Sequence, residues 1–210
     1  MMEAVVQGDR VVLRGYVNAV DRESRMMHSE RLGRFIEKVS PGTFAKALER
    51  SPAVPVLFNH DETRRLAVAG DGHTRLKEDA VGLFVETEVR DAEVSEKARH
   101  KKLTGWSFAF RLRPGGEELE QRADGVTLRR LTDFDLDDVS ILDIKPAYIG
   151  TSLEDVETRS DGEVLELRAF GDVLEVREER PVPDPTRGDP PGDTAMARNQ
   201  YINLKMEVVD

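Results

Sequence analysis

Three side chains in this sequence could together carry out nucleophilic chemistry: the hydroxyl of Ser107, the imidazole of His60 and the carboxylate of Asp138. A serine hydroxyl becomes a strong nucleophile when a neighbouring base takes its proton, and histidine suits that task because its ordinary pKa lies near neutrality. A carboxylate bonded to the other ring nitrogen orients the imidazole and stabilises its protonated form. The three residues are far apart in the chain, so the fold must bring them together.

Ser107 lies within Leu103–Phe110, where aromatic residues alternate in the way that is typical of a buried β-strand. Ser107 falls on the opposite face, between Gly105 and Ala109, whose small size leaves its hydroxyl open to approach by another chain. Strands are rich in serine and threonine, so the segment alone also fits an ordinary structural serine. The other face is predicted to carry Trp106, Phe108 and Phe110.

His60 follows the compact apolar run Val54–Phe58, which is predicted to be a buried strand. A position just beyond a rigid strand combines firm support with access to solvent, and proton transfer by an imidazole needs both. The alternative is a surface histidine in a polar loop, which is the more common setting of this residue type.

Asp137 and Asp138 interrupt the predicted last core strand, Leu136–Leu142. Neighbouring strand residues face opposite sides, so one aspartate would face solvent and the other the interior, where a carboxylate is costly unless it is paired. An inward Asp138 would pair with His60, and Asp137 would take that role in a different register. An inward charge that protects an edge strand from aggregation is the structural alternative.

Composition excludes several classes of function. The 210-residue chain carries a net charge of −10, which argues against binding to nucleic acid or to an anionic membrane. It has no cysteine, so disulfides, thiolate metal sites and a cysteine nucleophile are excluded. The four histidines lack metal-ligand spacing, and no phosphate loop is present, so no cofactor is expected. No signal peptide or membrane span is visible, and a cytoplasmic protein is expected.

Many short strand patterns, two helix patterns and antiparallel connections predict an α+β fold, mainly an antiparallel β-barrel with flanking helices. One helix is expected to start with Thr43 as its N-cap, and a second to span Ala92–Leu103. Residues 1–155 are expected to form one domain. Residues 156–210 are expected to hold a hairpin around Gly171-Asp172, the proline-rich linker Pro181–Asp193 and a tail.

Five segments occur in a definite order within the first 150 residues: Ser40–Phe44, Val56–Asp61, Asp79–Leu83, Gly105–Phe110, and Leu136–Leu142 followed by Lys145–Ala147. Their order and approximate spacing resemble the phage prohead (capsid maturation) protease family of the HK97 type. The resemblance implies a serine endopeptidase without a cofactor, with a fold similar to the herpesvirus assemblin proteases.

The resemblance also implies a role for each candidate residue. The family nucleophile maps onto Ser107 and its base onto His60. The third member, usually a glutamate, maps onto Asp138, which is shorter by one methylene. Similarity to assemblins implies that a backbone N–H near Arg129 or Arg130 helps to stabilise the oxyanion.

The resemblance names the expected partners: the scaffolding segment of the major capsid protein and the protease's own chain, inside an assembling prohead in the host cytoplasm. The exposed stretch Pro181–Asp193 is the expected place of self-cleavage. A homo-oligomer is left open. Two alternatives remain: an inactive capsid scaffold or assembly protein with the same fold, which the change from glutamate to aspartate favours, and a small β-barrel binding module, which predicts that His60 and Ser107 lie far apart.

Overall fold

Strands dominate the computed structural model, which describes residues 2–143, 156–158, 164–171 and 174–178. The described residues form fifteen strands and two helices, which confirms a mixed α+β fold that is mostly β. The strands are β1 (Met2–Gln7), β2 (Arg10–Ala19), β3 (Met27–Ser29), β4 (Gly33–Val39), β5 (Pro55–Phe58), β6 (Asp61–Val68), β7 (Thr74–Glu78), β8 (Gly82–Arg90), β9 (Gly105–Leu112), β10 (Glu117–Gln121), β11 (Thr127–Leu131), β12 (Phe134–Leu142), β13 (Val156–Thr158), β14 (Val164–Gly171) and β15 (Leu174–Glu178); the helices are α1 (Thr43–Arg50) and α2 (Ala92–Arg99).

The strands assemble into three sheets. Their orders are β15-β1-β2-β8-β7, β10-β11-β4-β3 and β13-β14-β9-β12-β5-β6. Most neighbouring pairs are antiparallel, and the parallel ones are β1 with β15, β4 with β11 and β5 with β12. None of these sheets closes on itself within the described residues, so the predicted barrel stays a prediction.

The aromatic face of β9 lies in the centre of the core, as its alternation predicts. Trp106, Phe108 and Phe110 are fully buried. Phe44 of α1 packs edge-to-face on Phe108, with ring centroids 5.2 Å apart. Aromatic pairs in this geometry add about 0.5–1.5 kcal/mol beyond the burial of their surface. Packing on this face therefore fixes β9, and with it the residues on the other face.

Helix α1 begins differently from the prediction. Its N-cap is Gly42, with a φ of 85°, and Thr43 is the first helical residue. The carboxylate of Glu78 accepts hydrogen bonds from the backbone N–H groups of Gly42 and Ala45, so a residue on β7 does the work expected of the Thr43 side chain. Helix α2 is capped as the sequence rules prescribe, since the Asp91 carboxylate accepts from the Val94 N–H at 2.9 Å.

The predicted hairpin around Gly171-Asp172 is wrong, because its two strands join different sheets. β14 runs antiparallel to β9, and β15 runs parallel to β1. Each strand pairs with an edge that the earlier part of the chain offers, which completes a larger sheet than an isolated two-stranded ribbon would. The boundary at residue 155 stays a prediction, and the linker Pro181–Asp193 lies outside the described residues.

A buried cluster of charged side chains joins β14 to β4 and β11. We call it the ion cluster; its members are Glu37, Glu117, Arg129, Glu166 and Arg168. The Arg129 side chain is 0% exposed and bonds three carboxylates, those of Glu37, Glu117 and Glu166. Burial alone would lower the pKa of the Arg129 guanidinium, but the bonded Glu166 and the charge of Glu37 outweigh it, and the pKa is raised.

The pKa of the Glu166 carboxyl shifts in the opposite direction to that of Arg129, as expected for the two partners of an ion pair. Burial alone would raise the pKa of its carboxyl, but the hydrogen bonds and charges of Arg129 and Arg168 outweigh burial and hold that pKa below its ordinary value of 4.5. Glu166 therefore contributes stability only while its carboxyl is ionised.

The free energy of unfolding of this chain should fall in acid over a defined pH range. Because the pKa of Glu166 is depressed in the folded state, its contribution is complete above pH 4.5 and is lost as the pH falls from there through the folded-state pKa. Urea unfolding at a series of pH values should show this fall, and Glu166→Gln should make it shallower. The exposed Glu118 of β10 provides the control, since Glu118→Gln should leave the slope unchanged; equal slopes for all three proteins would contradict the assignment.

Candidate active site

Ser107 lies near the start of β9, inside the six-stranded sheet. β12 pairs with one edge of β9 and places Ser140 directly opposite Ser107, while β14 pairs with the other edge and places Ala169 there. Directly paired residues share a face, so Ser107 and Ser140 point to the same side, away from the aromatic core. Ser107 is only 1% exposed.

His60 sits in a two-residue turn between β5 and β6. Asn59 and His60 both have positive φ, at 54° and 58°, which is the requirement of a type I′ hairpin turn. Asparagine adopts this conformation readily, whereas a histidine there is uncommon and carries strain. Such strain persists only when the surroundings over-determine it, and the contacts of this turn do so.

The turn is bonded to β12 and to the residue after it. The Asn59 N–H donates to the Ile141 carbonyl at 3.0 Å, and the His60 N–H donates to Ser140 Oγ at 3.0 Å. The Asn59 side chain donates to the Asp143 carboxylate at 2.7 Å and accepts from the Asp143 N–H at 3.2 Å. These bonds fix the position from which the imidazole projects.

The structure brings all three predicted site residues together. His60 Nε2 lies 2.6 Å from Ser107 Oγ, and His60 Nδ1 lies 2.8 Å from Asp138 Oδ1. Asp138 is 4% exposed. An ionised carboxylate can only accept, so the Nδ1 atom carries the proton in the neutral ring and Nε2 is left to accept from the serine. The separation of His60 and Ser107 expected for a simple binding module is not found.

Asp138, not Asp137, contacts His60. A β-bulge shifts the register of β12 against β9 between Leu136 and Asp138. The carboxylate of Asp137 instead pairs with Arg111, with Oδ2 2.9 Å from Nε. Asp138 reaches the ring despite being shorter than the glutamate of the resembling family, so the change of residue type does not break the contact.

Ser140 is a site residue that the sequence reasoning did not assign a role. Its hydroxyl donates to Asp138 Oδ1 at 2.8 Å while it accepts the His60 N–H, so it ties the carboxylate to the turn. Asp138 and Ser140 are two apart on one strand and so share a face, which is the signal in the sequence that could have identified it.

Ser107 has a second partner. Its Oγ lies 2.9 Å from the backbone carbonyl oxygen of Arg168 on β14. A hydroxyl has one proton, so the Arg168 carbonyl and His60 Nε2 compete for it. With β14 in this place, the hydroxyl is covered.

The segment expected to supply an oxyanion donor is β11. Arg129 and Arg130 are in the interior of β11, which pairs with β10 on one side and β4 on the other. Their backbone N–H groups are therefore engaged in these ladders, and a contribution to the oxyanion from an N–H near them stays a prediction.

Within the described ranges, no three acidic or histidine side chains are grouped so that they could hold a metal ion. In the same part of the chain, no helix is both long and apolar enough to cross a membrane.

Comparison with known proteins identifies a family to which this chain is similar. A family model described as caudovirus prohead serine protease matches residues 2–165, a range that includes His60, Ser107 and Asp138. No curated protein and no solved structure matches the chain.

Removing the Ser140 hydroxyl should weaken the site without unfolding the protein. Ser140→Ala deletes a hydrogen bond to a charged carboxylate, and we expect the maximal rate of Ser107 labelling by a fluorophosphonate to fall about ten-fold with an unchanged apparent affinity for the reagent. Ser140→Thr, which keeps a hydroxyl, should recover most of the rate.

The control for this variant is Ser95→Ala. Ser95 is equally buried, but its hydroxyl donates to the Asp9 carbonyl at 2.9 Å and not to Asp138. If Ser95→Ala slows labelling as much as Ser140→Ala, Ser140 acts only through general stability.

Proposed function

The chain belongs to the caudovirus prohead serine protease family, and we propose that it is an endopeptidase with Ser107 as nucleophile, His60 as base and Asp138 as the residue that orients the base. Membership gives the chain a protease role in capsid maturation. The observation that carries the residue assignment is the unbroken chain of short contacts, 2.6 Å from Ser107 to His60 and 2.8 Å from His60 to Asp138.

The mechanism follows from the ring nitrogens that make these contacts. Ser107 Oγ attacks the carbonyl carbon of a peptide bond as its proton passes to His60 Nε2. The tetrahedral intermediate collapses, the carbon–nitrogen bond breaks, and His60 gives the proton to the leaving amine. Water then enters and attacks the acyl carbon as His60 takes its proton, the bond between that carbon and Ser107 Oγ breaks, and His60 returns the proton to Oγ. Asp138 holds the Nδ1 proton and stabilises the imidazolium in both halves.

The proposed substrates are the scaffolding segment of the major capsid protein and the protease's own chain, inside the assembling prohead of the host cell. Pro181–Asp193 is the proposed place of self-cleavage, because its composition, with five prolines among charged residues, is typical of segments that proteases cut. We also propose the assemblin-like barrel as the fold that holds the three site residues.

An inactive scaffold with the same fold is the other candidate, and the substitution of aspartate for the family's glutamate was its support. The 2.8 Å contact between Asp138 and His60 removes that support, since the shorter side chain still reaches the ring. A further point favours the enzyme: an unpaired carboxylate at this depth would be costly, and its partner here is the imidazole.

Co-expression with the cognate major capsid protein tests the function. We expect intact mass spectrometry to find a trimmed capsid protein and a trimmed protease with the wild-type chain, and both at full length with Ser107→Ala. Ser95→Ala serves as the matched serine control and should behave as the wild type. Identical fragments from the wild type and Ser107→Ala would contradict the proposal.

The pair of adjacent aspartates offers a test of the third role. Asp138→Asn removes the carboxylate that selects the reactive tautomer, and we expect a loss of about 10³–10⁴-fold in the rate of cleavage. Asp137→Asn removes the carboxylate that pairs with Arg111 and should change the rate by less than about three-fold. Equal losses in the two variants, measured as initial rates on the same capsid substrate, would reject Asp138 as the orienting residue.

A further inference from the structure

β14 lies along the nucleophile strand as an extended peptide would. It runs antiparallel to β9 from Glu166 opposite Phe110 to Gly171 opposite Gly105. Strand addition to a sheet edge is a common way for proteins to hold an extended peptide, with backbone bonds giving affinity and alternate side chains giving specificity. The carbonyl oxygen within 2.9 Å of Ser107 Oγ belongs to Arg168, so the peptide group at the nucleophile is the one between Arg168 and Ala169.

The side chain of Arg168 enters a site that fits arginine. Arg168 is paired with Phe108, so its side chain leaves β14 on the aromatic face, and its guanidinium lies 5.4 Å from the centroid of the Phe110 ring. Its Nε and Nη2 atoms reach the two oxygens of Glu37 at 2.7 and 2.9 Å. Glu37 is 4% exposed. A buried fork of this kind suits the planar guanidinium better than the point charge of lysine.

Glu166, two positions before Arg168, is held by a positively charged side chain. Glu166 lies on the same face of β14, and its Oε1 accepts from Arg129 Nη2 at 2.7 Å. Glu37 and Arg129 also contact each other at 3.0 Å. These two core residues therefore neutralise one another without β14, so the strand could leave its place without exposing an uncompensated buried charge between them.

The segment that fills this site occurs twice in the sequence. Val-Leu-Glu-Leu-Arg at 164–168 is followed by Val-Leu-Glu-Val-Arg at 173–177, with the same Glu-x-Arg spacing. The second copy belongs to β15, where the side chain of Arg177 is 71% exposed and its Nε lies 3.6 Å from Glu3. The same short pattern therefore lies both at the nucleophile and on another sheet.

We propose that Glu37 and Phe110 form the subsite for an arginine immediately before the scissile bond, that Arg129 binds an acidic side chain two residues earlier, and that β14 occupies both subsites within the same chain. This inference rests on the proposed function and names its substrate class: extended segments of the pattern acidic-x-Arg. The bond that breaks joins the arginine carbonyl carbon to the next nitrogen. Ser107 Oγ bonds to that carbon, and the serine proton passes through His60 to the leaving nitrogen.

In the observed pose, the oxygen of the Arg168 carbonyl, not its carbon, faces Ser107 Oγ. Attack requires this peptide plane to turn, so β14 is a resting occupant that a substrate segment must replace or whose own peptide plane must rotate. This accounts for the near-complete burial of Ser107, which a substrate could not otherwise reach.

The test uses the full-length chain and synthetic peptides with the sequence of residues 162–173, carrying Arg, Lys, Ala or Glu at the position of Arg168. We expect a cut between the positions of residues 168 and 169, with kcat/KM for Arg about ten-fold or more above that for Ala and no cut with Glu, because a bidentate charged bond is lost in each case. Lysine should fall between Arg and Ala. The peptide series requires no change to the protein.

A protein variant tests the same subsite from the other side. Glu37→Gln should reduce the preference for Arg over Ala about ten-fold. Glu117→Gln is the matched control, since Glu117 belongs to the ion cluster and, among the described residues, bonds Arg129 and Arg31, and it should keep the preference.

Cutting at another bond, or equal rates for the four peptides, would overturn the subsite and leave the proposed protease intact. Cleavage of the capsid protein that depends on Ser107, together with no cleavage of any peptide, would also overturn the subsite and leave the proposed protease intact. An absence of all cleavage that depends on Ser107, in peptides and capsid protein alike, would overturn both.

Discussion

A two-residue turn held in a left-handed conformation is the constraint on which this site depends. Asn59 and His60 both have positive φ, and for a histidine this costs about 1–2 kcal/mol. The bonds from the turn to Ser140, Ile141 and Asp143 offset that cost and fix the backbone from which the ring projects. A more flexible loop would avoid the strain, but the imidazole would then lose conformational entropy each time it took the position that contacts both Ser107 and Asp138.

The two faces of strand β9 have different roles in the site. Aromatic packing on one face immobilises the strand, and the small neighbours of Ser107 on the other keep space for the imidazole. The ion cluster then fastens β14 beside β9, through Glu166 and Arg168 on the aromatic side. The supporting aromatic residues, the proposed nucleophile Ser107 and the strand that covers it are therefore parts of one sheet, so any change that frees Ser107 must break pairing along β9.

Local patterns in the sequence predicted the candidate residues of the site but not which of them contact each other. Alternation was enough to assign Ser107 to the face opposite the aromatic residues, because period two is a property of one strand. It could not choose between Asp137 and Asp138, since the choice depends on a bulge formed against another strand. The hairpin at Gly171-Asp172 failed for a similar reason: turn propensity is local, and the edges of β1 and β9 compete from far away in the chain. Glu78, which caps α1 from β7, was beyond local rules too. Residues 145–147, part of the family resemblance, lie outside the described residues.

The most direct test of the account is proton NMR of the imidazole. If Asp138 accepts the His60 Nδ1 proton at 2.8 Å, that proton should exchange slowly and resonate far downfield at neutral pH in the Ser107→Ala protein, which lacks the proposed nucleophile. The account predicts that the signal disappears when Asp138→Asn is added and persists when Asp137→Asn is added. A signal absent from the parent, or one that survives the loss of the Asp138 carboxylate, would contradict it.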